Sequence, residues 1–184
     1  YNIDNEINLV WEGLPENLYS FKFLDQILYD INKTYDFNLT IITELTLNSY
    51  LRKTSTIKLA KEIFTKFNKY KIIEWNLDTL SKNISNSDIG IIPFDIKNKM
   101  NFYKGANKLI LFWKIGIPVV TSSAPDLVRQ MNKIKLKHYC ENHTEWKNTL
   151  INLFENRLQI ESLAKKVKNF AYKHYSEEKI ASKW

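Results

Sequence analysis

The sequence predicts a Rossmann-like α/β fold: an open parallel sheet of about six strands, helices on both faces, and closing helices at the C-terminus. Three observations predict it. Short runs rich in β-branched residues alternate with helical-period segments along the chain. The run Ile89-Gly90-Ile91-Ile92-Pro93 is uniformly apolar up to its proline, as a strand buried on both faces must be. An amphipathic helix that opens near Lys104 is stopped by Gly116, and a strand, Ile117 to Thr121, follows after almost no loop. Pro118 is harmless at a strand start, where its missing N–H breaks no ladder. With 184 residues, 44% of them apolar, the chain can bury one core, and a single domain over 1–184 is expected.

Taken in order, Ile7 to Trp11 reads as a strand ended by the turn Glu12-Gly13-Leu14-Pro15. Ser20 is placed to cap a helix in which Phe23, Leu24, Ile27, Leu28 and Ile31 recur at helical spacing. Phe37 to Thr43 is the second strand. Thr54 to Phe67 reads as a second amphipathic helix, with Ile57, Leu59, Ala60, Ile63, Phe64 and Phe67 on its apolar side. Tyr70 to Trp75 is the third strand, Leu77 to Ile84 a short helix, and Phe94 to Tyr103 a polar loop. Asp126 to Asn132 is a short helix and Ile134 to Tyr139 an edge strand. Helices over about Thr144 to Glu155, Leu158 to His174 and Ser176 onward close the chain. These exceed what the sheet needs for cover, so at least one is expected to pack on a further domain. Strand-helix alternation of this kind calls for right-handed crossovers.

Composition narrows the function. The formal charge is +7, from 27 Lys/Arg against 20 Asp/Glu, but the basic residues are scattered along helices rather than blocked. A nucleic-acid partner is not expected from that pattern, whereas phosphate-bearing ligands or an anionic membrane face suit it. Cys140 is the single cysteine, so neither an internal disulfide nor a cysteine metal cluster can form. His138, His143 and His174 lack ligand spacing; His138 and His143, on either side of Cys140, read as surface residues. No run of about 18 apolar residues is present, so no segment is expected to span a bilayer. The sequence starts at Tyr1 rather than Met, which suggests a piece of a longer chain.

In such a sheet, ligands settle beyond the carboxyl ends of the strands. Four turns point there: Glu12 to Pro15, Trp75-Asn76, Phe94 to Lys104, and Thr121 to Pro125. No G-x-G-x-x-G and no G-x-x-x-x-G-K-[ST] occurs, which disfavours dinucleotide dehydrogenases and P-loop NTPases. The Lys104 stretch is different. Lys104, Asn107 and Lys108 are three and four residues apart and would share one helical face in the first turn. Backbone N–H groups lack helical partners there, and the helix dipole is positive. Gly105 would let an oxyanion approach that backbone. Two ammonium groups, an amide and N–H groups suit a diphosphate. The same residues would serve equally as a solvated basic helix start.

Asn107-Lys108-Leu109, the Gly116-Ile117-Pro118-Val119-Val120 run, and Ser87-Asp88-Ile89-Gly90-Ile91-Ile92-Pro93 before them carry a resemblance. Together they resemble the C-terminal half of a GT-B glycosyltransferase of the group 1, family 4-like kind. The tail from Tyr175 to Trp184 is similar to that family's closing helix, and residues 173–184 would then pack on an N-terminal acceptor domain absent from this sequence. The resemblance covers nearly the whole chain in order. It implies that the chain binds the nucleotide-diphosphate sugar donor, with Lys104, Gly105, Asn107, Lys108 and Gly13 at the diphosphate and Trp75 and Asn76 at the base. It implies no metal and no further cofactor. It also implies a cytoplasmic protein, associated peripherally with the inner membrane face, in bacterial envelope or other polysaccharide biosynthesis. The sequence departs from the family's E-x7-E motif: Tyr103 and Leu111 stand where its carboxylates are expected. No catalytic residue is assigned, because this half supplies no identifiable general base.

Two other readings compete. A GT-B-related sugar-nucleotide epimerase would want acidic groups at the strand ends, where only Glu12 and Asp95 are available. A non-catalytic α/β binding module, a transferase half that has lost activity, would explain the absence of both motif glutamates.

Overall fold

The computed structural model describes residues 6–49, 52–176 and 179. Its main element is a six-strand parallel sheet with flanking helices, as the alternation predicts. The chain divides into two compact units, Tyr1–Ser87 and Asp88–Trp184.

The first unit runs β1 (Ile7–Glu12), a 3-10 helix (Pro15–Phe21), α1 (Asp25–Asn32), β2 (Phe37–Thr43), β3 (Thr46–Ser49), β4 (Arg52–Ser55), α2 (Thr56–Ile63), β5 (Tyr70–Glu74) and α3 (Leu77–Ser85). Its parallel strands lie in the order β5-β2-β1. Leu9 is opposite Leu39, and Ile41 opposite Ile72. From Leu39 to Thr43 every residue of β2 is buried, because the strand is covered on both faces. An aromatic cluster fills one side of this core. Phe21 meets Trp11 edge-on at 5.6 Å and Phe64 at 5.3 Å, and Phe37 stacks on Phe67 at 5.2 Å.

Three expectations fail in this unit. Ser20 caps no helix: it lies inside the 3-10 helix, and α1 starts later, behind Leu24, without a side-chain cap. The chain before α2 is an antiparallel hairpin, β3 with β4, and Thr54 is a strand residue. The buried Thr56 fixes the hairpin base, its hydroxyl donating to the Glu44 carbonyl at 2.6 Å and its N–H to the Leu45 carbonyl at 2.9 Å. At its other end α2 stops at Ile63, although the apolar period runs on to Phe67. The cause is Asp25. Its buried carboxylate accepts the backbone N–H of Thr65 (3.0 Å), Lys66 (3.2 Å) and Phe67 (2.9 Å), and the Thr65 hydroxyl (2.9 Å). An acceptor that satisfies those amides outside a helix removes the reason for them to continue one.

The second unit runs β6 (Ile89–Ile92), a single turn α4 (Lys99–Phe102), α5 (Asn107–Ile115), β7 (Val119–Ser122), α6 (Pro125–Lys133), β8 (Tyr139–Cys140), α7 (His143–Glu155) and α8 (Arg157–Tyr175), with β6, β7 and β8 parallel. The predicted loop 94–103 thus contains one helical turn, capped by Asn98. Leu109, Phe112 and Trp113 are the buried face of α5. Phe112 seats against Gly90, where an added Cβ would come within 3.3 Å of its ring and 3.1 Å of Val119. Trp113 meets Phe170 of α8 edge-on at 5.8 Å. Gly116 ends α5 with φ 98°, and the next N–H, of Ile117, reaches back to the Phe112 carbonyl at 2.9 Å. The expected edge strand over 134–139 shrinks to Tyr139–Cys140, because 134–136 fold back onto Met131 at the end of α6, with Lys135 at φ 53°. The helix expected from Ser176 onward lies outside the described residues, apart from Ser176 and Lys179.

Of the two histidines read as surface residues, His143 is exposed and His138 half-buried, and Cys140 between them is buried. Burial pushes the Cys140 thiol up to about 11, against a small opposing pull from its contact with Thr149 Oγ1 at 3.6 Å. Two predictions follow from these packing features. Asp25→Ala leaves three backbone donors unsatisfied and should lower unfolding free energy by about 3 kcal/mol, read as a lower urea midpoint at unchanged m-value. An unfolded chain ionises Cys140 near its ordinary value of 9.0, before the folded chain does. Stability should therefore be intact below pH ~9 and fall as pH rises towards ~11. Cys140→Ser should flatten that alkaline slope in pH-dependent urea melts.

Candidate functional site

Because β6 and β7 are adjacent and parallel, the chain leaves both at the same sheet edge. The helices that follow, α5 and α6, therefore start side by side. That geometry brings Lys104 and Gly105, two of the predicted diphosphate residues, next to a residue the sequence reading did not select, Asp126. Its Oδ2 accepts the Ala106 N–H at 2.7 Å, at the N-cap of α5. Its Oδ1 accepts from Arg129 Nη2, one turn along α6, and from Gln130 Nε2 at 3.3 Å. Gln130 in turn takes hydrogen bonds from Lys133 Nζ at 2.8 Å and from the Tyr175 hydroxyl at the end of α8.

Lys104 is not in the first helical turn, as its spacing suggested, because α5 begins only at Asn107. It lies in the turn between α4 and α5, with its N–H on the Asn101 carbonyl at 3.3 Å and its ammonium 4.8 Å from the centre of the Phe94 ring. Asn107 and Lys108 are the first two residues of the helix. Gly105 is exposed, and the nearest atom to a Cβ built on it would be Asp126 Oδ2 at 3.8 Å. Space in front of it is open. A depression of about 220 Å3 is lined by Phe102, Tyr103, Lys104, Pro125, Asp126 and Arg129. The carboxylate of Asp126 thus shares one hollow with two cationic side chains. Beside it, a wider groove of about 710 Å3 runs past Ser123, Arg129, Asn132, Tyr139 and Glu141. Of the two positions where motif carboxylates were expected, Tyr103 is exposed and Leu111 half-buried.

In the first unit the structure gathers the other candidates at the carboxyl ends of its strands. Gly13 directly follows β1, and its N–H donates to the Ile42 carbonyl at 3.1 Å. Trp75 directly follows β5, its N–H on the Thr43 carbonyl at 2.9 Å and its ring exposed. Asn76 caps α3, its Oδ1 accepting the Asp78 N–H at 2.9 Å. That cap occupies the amide oxygen and leaves the amide nitrogen to other partners. Thr43 ends β2 between these turns, and its hydroxyl is fully buried with no hydrogen-bond partner.

Sequence reasoning missed Asp126 and Arg129. The available signal was Pro125-Asp126, which reads as an ordinary helix start with an acid in the first turn. Nothing in the sequence says that this acid serves the N-terminus of a different helix. Among the described residues, no three His, Cys, Asp or Glu side chains are grouped to hold a metal ion, and no helix is long and apolar enough to cross a membrane.

No protein-family model matches the chain, and no curated protein matches it. Solved structures do. A glycosyltransferase from Rickettsia africae superposes with a TM-score of 0.74 at 13% identity, over 98% of this chain and 46% of its own. Anabaena Alr3699/HepE, solved with UDP and glucose, gives 0.69 at 11% identity, over 99% of this chain and 49% of its own. The C-terminal domain of a glycosyl transferase group 1 family protein, LpcC from Francisella tularensis, gives 0.65 at 10% identity, over 94% of this chain and 87% of that domain. The chain therefore spans about half the length of the first two proteins and nearly all of the isolated domain. Its fold is that of the C-terminal half of GT-B glycosyltransferases of the group 1 type.

Proposed function

We propose that this chain is the donor-binding part of a glycosyltransferase that uses a nucleotide-diphosphate sugar. The observation that carries the reading is the start of α5, where a backbone N–H already holds an oxyanion, the Asp126 carboxylate, in a hollow lined by Lys104 and Arg129. A site that seats a carboxylate oxygen at 2.7 Å has the hydrogen-bond geometry a phosphate oxygen needs. In this reading the Lys104 and Lys108 ammonium groups and the Asn107 amide hold the donor diphosphate beside Gly105. As the glycosidic bond breaks, negative charge builds on the leaving diphosphate, and cations fixed there in advance lower the barrier more than they stabilise bound donor. Within the first unit, Trp75 and Asn76 carry the assignment to the base, with the exposed Trp75 ring as a stacking surface, and Gly13 carries an assignment to a phosphate.

The solved neighbours support the donor class: Alr3699/HepE was captured with UDP-glucose, and a trehalose-6-phosphate protein from E. coli with UDP-2-fluoro glucose. The acceptor belongs to a separate half in this reading. A bacterial envelope glycan or lipid-linked glycan is the acceptor class we assign, and the whole protein would work at the inner membrane face without a metal, its lysines neutralising the diphosphate.

The test is calorimetric titration of the 184-residue chain with UDP, GDP and ADP. One of them should bind in the micromolar to millimolar range, and Lys104→Ala/Lys108→Ala should weaken it about tenfold or more. The chain alone should transfer no sugar. If no nucleotide binds at millimolar concentration, or if the double variant binds as the parent does, the donor-site reading is wrong.

A further inference from the structure

We propose that Asp126 is an internal anion that occupies the oxyanion position of this site, and that an incoming diphosphate displaces it and takes over its partners, Ala106 N–H and Arg129. The inference rests on the donor-site reading above and adds two residues to it, one that ligand must expel and one that ligand recruits.

Three observations carry it. First, the carboxylate is bound as a ligand would be, with one oxygen on the Ala106 N–H at the N-cap of α5 and the other on a guanidinium and an amide. Ala106 has no capping side chain of its own to satisfy that end of the helix. Second, the contact crosses between elements. Asp126 is in the first turn of α6, where its charge is already favourable, and it extends from there to α5. Third, Lys104, Asp126 and Arg129 line the same hollow, so moving the carboxylate off the Ala106 N–H leaves two cations at that hollow and releases a backbone donor next to it. That is the donor set for a phosphate oxygen.

The charges decide the direction of the effect. A diphosphate and the Asp126 carboxylate repel each other within one hollow, and they compete for one N–H. The repulsion and the competition both weaken the ligand. Arg129 is mostly exposed and pairs with Asp126 one turn away, so its guanidinium can turn to a phosphate without disturbing the core. Gln130, held by the Tyr175 hydroxyl, keeps an amide donor beside the carboxylate. Asp126 can therefore retain one partner as it leaves the Ala106 N–H.

The experiment titrates pyrophosphate and the nucleotide that binds the parent into four proteins: the parent, Asp126→Asn, Asp126→Ala, and Asp126→Asn/Arg129→Gln. Circular dichroism and thermal melts establish that each is folded. Both single variants should bind pyrophosphate and nucleotide about tenfold tighter than the parent. Adding Arg129→Gln should cost severalfold of that gain. In 15N spectra, the Ala106 amide of the parent should shift on pyrophosphate addition as its acceptor changes. If the parent binds in a Lys104/Lys108-dependent way and both single variants bind equally or more weakly, the displacement inference is overturned while the donor-site reading stands. If no protein of the four binds either ligand, both are overturned. Two single variants guard the outcome: Asp126→Asn retains an acceptor for α6 and Ala106, and Asp126→Ala removes it.

Discussion

A carboxylate that serves two helices at once is the constraint around which the second unit is arranged. Adjacent parallel strands deliver their following helices to one edge, so the positive ends of α5 and α6 lie side by side. Neither helix has a capping side chain at its N-cap residue. Asp126 meets both needs, as an acid in the first turn of α6 and as the acceptor for the N-cap N–H of α5. The position of α5 is fixed independently from its other face, by Phe112 against Gly90 and Trp113 against α8. The start of α5 is thus held by packing, and Asp126 supplies the charge that the packing alone leaves uncompensated.

The first unit uses the same device for another purpose. Asp25, at the start of α1, collects the amides of 65–67 and so decides where α2 ends. In both units a buried or half-buried aspartate satisfies backbone donors far away in sequence, 20 residues for Asp126 and about 40 for Asp25.

Periodicity and turn residues carried most of the fold. β2 coincides with its expected span, β6 reads as a doubly covered strand, and Gly116 stops α5 where the sequence says it should. Where the reading failed, the deciding partner was distant. The end of α2 depends on Asp25, the hairpin base on the Thr56 hydroxyl and the Glu44 carbonyl, and the short β8 on a turn folded back to Met131. No local pattern encodes any of these. The candidate site divides in the same way. Asn107 and Lys108 were legible as a basic helix start, with Lys104 and Gly105 in the turn before it, whereas Asp126 and Arg129 were hidden because their relevance arises only when two helix termini meet. The two positions lacking the expected carboxylates are no surrogate for them: an exposed Tyr103 and a half-buried Leu111 offer no negative charge.

The outermost strand of the first unit has a consequence for the behaviour of the chain in solution. β5 pairs with β2 on one side only, and each of its residues is half-covered or exposed. A bare strand edge of this kind invites a second chain to extend the sheet. Here the strand is five residues long, carries the charged Lys71 and Glu74 on exposed positions, and is preceded by Lys69, which pairs with Asp36. A neighbour adding itself to β5 would have to bring its backbone alongside these charges and strip them of water. The edge is therefore poorly suited to templating a continuous intermolecular sheet, although Ile72 and Ile73, half-buried on its two faces, are as apolar as the residues of any interior strand.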